Sequence, residues 1–110
     1  MSGRLTTHVL DTANGRPAAG VGIELARLDG ERRTELRAVT TNADGRTDEP
    51  LLADGELEAG EYELVFAVGA YFGSGFLDRV PVRFRIEQPG EHYHVPLLAS
   101  PWSYSTYRGS

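Results

Sequence analysis

Apolar residues in this chain recur at every second position in short runs, with no long stretch at helical spacing. In 79–87, Val80, Val82, Phe84 and Ile86 face one way, and Arg79, Arg83, Arg85 and Glu87 face the other. In 61–68, Tyr62, Leu64, Phe66 and Val68 share a side; in 20–28, Val21, Ile23 and Leu25 do, with Glu24 opposite. Successive side chains of a strand point to opposite faces, so these runs are half-buried strands with one face on a core. Turn residues separate them: Asn14-Gly15 ahead of Pro17, Asp29-Gly30, Asn42-Ala43-Asp44-Gly45, Gly60 and Pro89-Gly90. Such residues supply the positive φ and the local side-chain hydrogen bonds of tight turns. The pattern predicts strands near 4–10, 20–28, 32–41, 61–69, 79–88, 91–99 and 102–108, with Asp29-Gly30 as a hairpin turn. The glycine- and aromatic-rich stretch 69–75 has room for one helical turn. Short strands with regular turns predict an all-β, two-sheet Greek-key sandwich.

Length and composition narrow the functional classes. A chain of 110 residues holds one ordinary core, so 1–110 reads as a single domain. With 40% apolar residues it is globular, not disordered. No apolar run reaches the roughly 20 residues that cross a bilayer. The first ten residues, with Arg4, His8 and several hydroxyls, do not form a charged-then-apolar leader. A cytoplasmic location and no membrane partner are therefore expected. Cysteine is absent, which removes disulfides, thiolate-held metals and thiol catalysis. A net charge of −5 argues against nucleic acid as a partner. All eleven cations are arginines, so Schiff-base chemistry on a lysine is excluded.

Three regions remain for chemistry. His92 and His94 stand two apart in one strand and share a face, opposite Tyr93, Val95 and Leu97. His8 stands opposite Leu5, Thr7 and Val9, so all three histidines of the chain leave the core side. They are solvent-exposed strand residues, a chelating pair for a transition ion, or acid–base groups that titrate near neutrality. No cysteine or nearby carboxylate completes a ligand set, so no metal and no cofactor are expected. Arg46 follows the Asp44-Gly45 turn. It is a solvated loop cation, or a planar donor fork for an anionic or carbonyl-bearing ligand. The third region is Pro101-Trp102-Ser103-Tyr104-Ser105-Thr106-Tyr107-Arg108-Gly109-Ser110, crowded with aromatics and hydroxyls. Chain ends usually fray, and an aromatic strand at this one predicts that it is held in an interface or a site.

Three motifs go further. They are Leu5-Thr6-Thr7-His8-Val9-Leu10-Asp11 with Gly15-Arg16-Pro17-Ala18, then Thr40-Thr41-Asn42-Ala43-Asp44-Gly45-Arg46, and His92-Tyr93-His94-Val95-Pro96-Leu97-Leu98 running into Ser100-Pro101 and Tyr107-Arg108-Gly109-Ser110. Together they resemble the 5-hydroxyisourate hydrolases of the transthyretin-related family. The likeness covers nearly the whole chain, and the terminal tetrapeptide is its most specific element. It implies a prealbumin-type sandwich with a short helix after the fifth strand, near Ala70–Gly75. It implies a homotetramer, a dimer of dimers, with sites in the clefts where dimers meet. It also implies an activity on a small-molecule substrate: hydrolysis of 5-hydroxyisourate to 2-oxo-4-hydroxy-4-carboxy-5-ureidoimidazoline in urate breakdown, without a cofactor. Carried over by motif, His8, Arg46 and His94 are catalytic and bind substrate, and Tyr107 and Ser110 join them in binding. The hormone carriers of the same family differ at the His8, Arg46 and His94 positions and lack the Tyr107–Ser110 ending.

The residues suit that chemistry. An electron-poor cyclic amide needs no covalent nucleophile. It needs a base for water and a fixed cation for the oxyanion. His94 or His8 would take the first role and Arg46 the second. The alternative is a non-enzymatic prealbumin-like carrier or binding domain, since fold alone does not decide function.

Overall fold

The alternation in the sequence is realised from the first strand. In β1 (Leu5–Asp11), Leu5, Thr7, Val9 and Asp11 are buried, while Thr6, His8 and Leu10 are half-buried on the other face. The computed structural model describes residues 3–109. After β1 come β2 (Arg16–Pro17), β3 (Gly22–Asp29), β4 (Arg32–Thr40), β5 (Gly60–Ala67), α1 (Val68–Phe72), β6 (Arg79–Ile86), β7 (Tyr93–Ala99) and β8 (Tyr104–Thr106). They form two four-stranded sheets, β2-β1-β7-β8 and β4-β3-β5-β6. This is the expected all-β sandwich with one short helix. Neighbours pair antiparallel except β1 and β7, which run parallel with Thr6 beside His94 and His8 beside Pro96.

The core lies between the sheets. Leu5, Val9 and Leu97 from one meet Ile23, Leu25, Leu64, Phe66 and Ile86 from the other, all essentially inaccessible to solvent. Each such side chain contributes about 1.5–3 kcal/mol by leaving water. The last residue of β1 is tied down by polar contacts. Buried Asp11 accepts hydrogen bonds from the Asn14 backbone N–H at 3.0 Å, Asn14 Nδ2 at 2.8 Å and the Tyr71 hydroxyl at 2.8 Å. The helix is thereby fastened to the strand that carries His8.

Several boundaries differ from the expected ones. The strand expected at 61–69 ends at Ala67, and α1 occupies Val68–Phe72, two residues ahead of the expected start at Ala70. Val68 keeps the inward phase of Leu64 and Phe66 and is buried, so alternation runs unbroken into the helix. The helix stops at Gly73, which adopts φ 81° and donates its N–H to the Gly69 carbonyl. The two-residue β2 is too short to carry a period. β8 is confined to Tyr104–Thr106 because the Ser100 hydroxyl accepts the N–H groups of Trp102 and Ser103, at 3.2 and 3.1 Å, and folds 100–103 into a turn. In the hairpin, Asp29 still pairs with Arg32, so the loop is Gly30-Glu31, with Gly30 at φ 64°.

Candidate active site

The parallel register of β1 and β7 builds the first half of the site. Inward residues of both strands feed the core, so Thr6, His8 and His94 all project from the outer face of the sheet. Thr6 stands directly beside His94. Its Oγ1 lies 2.9 Å from His94 Nδ1 and 3.0 Å from His92 Nε2, so one hydroxyl bridges two imidazoles. His92 and His94 do share a face, as their spacing predicts.

The turn after β4 builds the second half. Asn42 Oδ1 accepts the backbone N–H groups of Asp44 and Arg46, at 2.9 and 3.2 Å, and the Asn42 N–H donates to the Arg46 carbonyl at 2.8 Å. Gly45 is left-handed, φ 75°, and any Cβ there would collide with the Val9 carbonyl. That close approach lets the Val9 N–H donate to the Gly45 carbonyl at 2.7 Å. One residue away, His8 Nε2 lies 2.9 Å from the Asp44 carbonyl. A carbonyl only accepts, so Nε2 carries a proton and donates it to Asp44. Two bonds from adjacent residues of β1 thus hold the turn, and Arg46 emerges beside the histidines. Thr6, Thr7, Arg46, Thr47, His92 and His94 line an open cavity of about 320 Å³. That volume suits a small molecule.

The C-terminal segment packs against His94 from the other edge of β7. The Gly109 N–H donates to the His94 carbonyl at 2.7 Å. A Cβ on residue 109 would stand 2.6 Å from His94 Cδ2, so only glycine fits against the ring. Arg108 holds the segment in place. Its guanidinium sits 4.2 Å over the Tyr93 ring and donates to Glu91 Oε1 at 3.0 Å and to the His92 carbonyl at 3.2 Å. Tyr107 is 58% exposed and faces a separate groove, with Val82, Phe84 and Arg85 along the free edges of β6 and β8. Ser110 lies outside the described residues.

His94 sits in an environment that disfavours its charged form. Partial burial, then the positive charge of Arg46, then His92 and His8, hold its pKa below the ordinary imidazole value of 6.5. His94 is therefore neutral at pH 7, with Nε2 as the ring nitrogen Thr6 does not occupy. A neutral imidazole beside a fixed guanidinium can take a proton from water and face developing negative charge. The geometry brings His8, Arg46 and His94 to one surface and leaves Tyr107 apart in this single chain. Thr6 and Gly109 are not among the site residues expected from the sequence. Thr6 shares the period-two phase of His8, a signal open to use. Nothing local to Gly109 announces its contact with His94.

Residues 5–109 match the HIUase/Transthyretin family. The chain belongs to that family. It is 63% identical to the 5-hydroxyisourate hydrolase of Mesorhizobium japonicum, over 98% of this chain and 93% of that one. Among solved structures it superposes on (S)-allantoin synthase with a TM-score of 0.92 and 49% identity. The match covers 99% of this chain but 44% of that one, so the chain spans less than half of that larger protein. It also superposes on sea bream transthyretin, solved in complex with thyroxine, with a TM-score of 0.89 and 28% identity, over 96% and 94% of the two chains. These likenesses agree with the sandwich, its sheet content and its one short helix. No helix among the described residues is long and apolar enough to cross a membrane.

Proposed function

We propose that the chain, as one domain spanning 1–110, hydrolyses 5-hydroxyisourate to 2-oxo-4-hydroxy-4-carboxy-5-ureidoimidazoline in urate catabolism. The observation that carries this reading is the cavity in which neutral His94 stands beside Arg46. His94 Nε2 takes a proton from water as the oxygen adds to the ring carbonyl. Arg46 pairs with the oxyanion, and its planar fork matches adjacent carbonyl oxygens of the ring. The carbonyl C–N bond then breaks, the proton on His94 passes to the departing nitrogen, and the carboxylic acid left behind gives its proton to solvent to become the carboxylate. The base contributes ~10²–10⁴-fold and the oxyanion contact about 3–4 kcal/mol. His8 flanks the substrate, and Tyr107 and Ser110 are assigned to substrate binding.

The cavity is open on its outer side, and β6 and β8 have free edges. Both features support a homotetramer whose clefts complete the site, with a mass of about 48 kDa, four times 12.0 kDa. A cytoplasmic location is proposed with it. The carrier reading draws on the thyroxine complex of the sea bream relative. One assay separates the two: freshly generated 5-hydroxyisourate is mixed with the protein and its absorbance decay compared with the uncatalysed rate. Acceleration that vanishes in His94→Ala supports the hydrolase, and binding without acceleration supports the carrier. Light scattering that returned a fully active monomer would remove the shared cleft.

A further inference from the structure

The Thr6 hydroxyl is placed between two imidazoles, and its proton count limits what it can do. It lies 2.9 Å from His94 Nδ1 and 3.0 Å from His92 Nε2. A hydroxyl has one proton to donate and two lone pairs to accept with, and a neutral imidazole has one N–H and one acceptor nitrogen. Both rings cannot accept from Thr6, because there is only one proton. If both donated, the hydroxyl proton would be left without a partner. The balanced arrangement has one ring donating and the other accepting.

Arg46 decides the direction. Its guanidinium lines the same cavity as His94, and the nitrogen of His94 that faces that cavity is Nε2, since Nδ1 is engaged by Thr6. A lone pair facing a cation is favoured over an N–H dipole facing it. The proton of His94 therefore belongs on Nδ1. His92 is exposed and free to take whichever tautomer its partner requires, so its Nε2 accepts and its Nδ1–H faces water.

We propose that Thr6 is the positioning residue for the base: it accepts from His94 Nδ1–H, donates to His92 Nε2, and so presents His94 Nε2 to the cavity as a lone pair. The proposal rests on the hydrolase reading for its catalytic meaning, but the tautomer assignment stands on geometry alone. It also predicts unequal roles for the two histidines of that sheet face. His94 touches substrate, whereas His92 orients the hydroxyl that orients His94. The charged and titratable groups around His94 are His8 from β1, Arg46 from the 42–46 turn and His92 from its own strand end. Arg108 of the C-terminal segment is turned away to Glu91 and Tyr93. None is a carboxylate facing the ring, so Thr6 is the hydrogen-bond partner that holds the tautomer Arg46 favours.

The test combines ring-nitrogen NMR with kinetics on wild type, Thr6→Val and Thr6→Ser. In wild type both His92 and His94 should be Nδ1–H tautomers, the reverse of the usual preference of an exposed histidine. Thr6→Val should return His92 to Nε2–H and leave His94 mixed. It should lower kcat by about 2–5-fold with KM nearly unchanged, because the fraction of His94 in the wrong tautomer cannot act. Thr6→Ser should restore the tautomers and most of kcat. Wild-type His94 protonated on Nε2, with turnover intact, would overturn the assignment and leave the hydrolase reading standing. The expected tautomers without any turnover would support the Thr6 assignment and sink the hydrolase reading. If Thr6→Val does not fold, the wild-type spectrum and Thr6→Ser still decide.

Discussion

Gly109→Ala should inactivate the protein without unfolding it. A Cβ at 109 would lie 2.6 Å from His94 Cδ2, 3.3 Å from Cγ and 3.4 Å from Cβ. Ordinary carbon–carbon contact is about 3.5–4.0 Å, so roughly 1 Å must open at Cδ2. Two responses are available. The imidazole swings off its rotamer, at about 0.5–1.5 kcal/mol for a turn of ~30°. Otherwise residue 109 withdraws and breaks its 2.7 Å bond to the His94 carbonyl, losing about 0.5–1.5 kcal/mol. Either way stability falls by about 1 kcal/mol, which lowers Tm by about 4–8 °C in a domain of this size. The rate is more sensitive. A base misplaced by ~1 Å costs on the order of 10²-fold. The assay is the initial rate of 5-hydroxyisourate decay, read beside a thermal melt and the His94 ring resonances. Wild-type kcat with unmoved resonances would refute the claim that Gly109 seats the ring.

Arg46→Ala should raise the barrier by about 3–4 kcal/mol in kcat/KM, with Arg46→Lys recovering only part because a point charge lacks the planar fork; full recovery in the lysine variant would show that charge alone matters. His94→Ala should lower turnover ~10²-fold or more with the fold intact, and His92→Ala far less; equal losses would contradict the unequal roles. Because burial and then Arg46, His92 and His8 depress the pKa of His94, the active neutral ring is present at pH 7. It is lost as pH falls through that depressed pKa. The acidic limb of kcat/KM should have its midpoint below 6.5, and a midpoint above it would refute the assignment. The sign is the same for stability: the fold favours the unprotonated ring, so this contribution declines as pH drops below the ordinary imidazole range, as acid titration of the melt would show.

The strands that were legible in the sequence are those with one wet and one dry face. Val80, Val82 and Ile86 are buried between exposed Arg79, Pro81, Arg83 and Arg85, and such a contrast is visible without coordinates. The start of α1 was hidden for the same reason, since Val68 is buried in the phase a continued strand would give it. The site was legible in part. His8 and His94 were placed on outer faces by counting residues, and Arg46 by its turn. Their meeting depends on β1 pairing with β7 and on Gly45 approaching Val9, contacts between distant segments that no local pattern encodes. The Thr6 bridge follows from the same register, so it became visible only with the sheet order.

The parallel partnership of β1 and β7 has a consequence for the chain as it leaves the ribosome. Thr6 and His94 are 88 positions apart. At ~5–20 residues per second, the first strand waits about 4–18 s for its neighbour to be synthesised. Until then the edge of β1 that pairs with β7 has no partner, while the other sheet, made of β3 to β6, can already pair within itself. A nascent chain that has passed Ile86 therefore holds one finished sheet and one exposed, sticky strand, the period of greatest exposure to wrong partners. On the proposed reading turnover needs the C-terminal residues seated against His94, so activity cannot appear during translation before β1 has gained β7 as its neighbour.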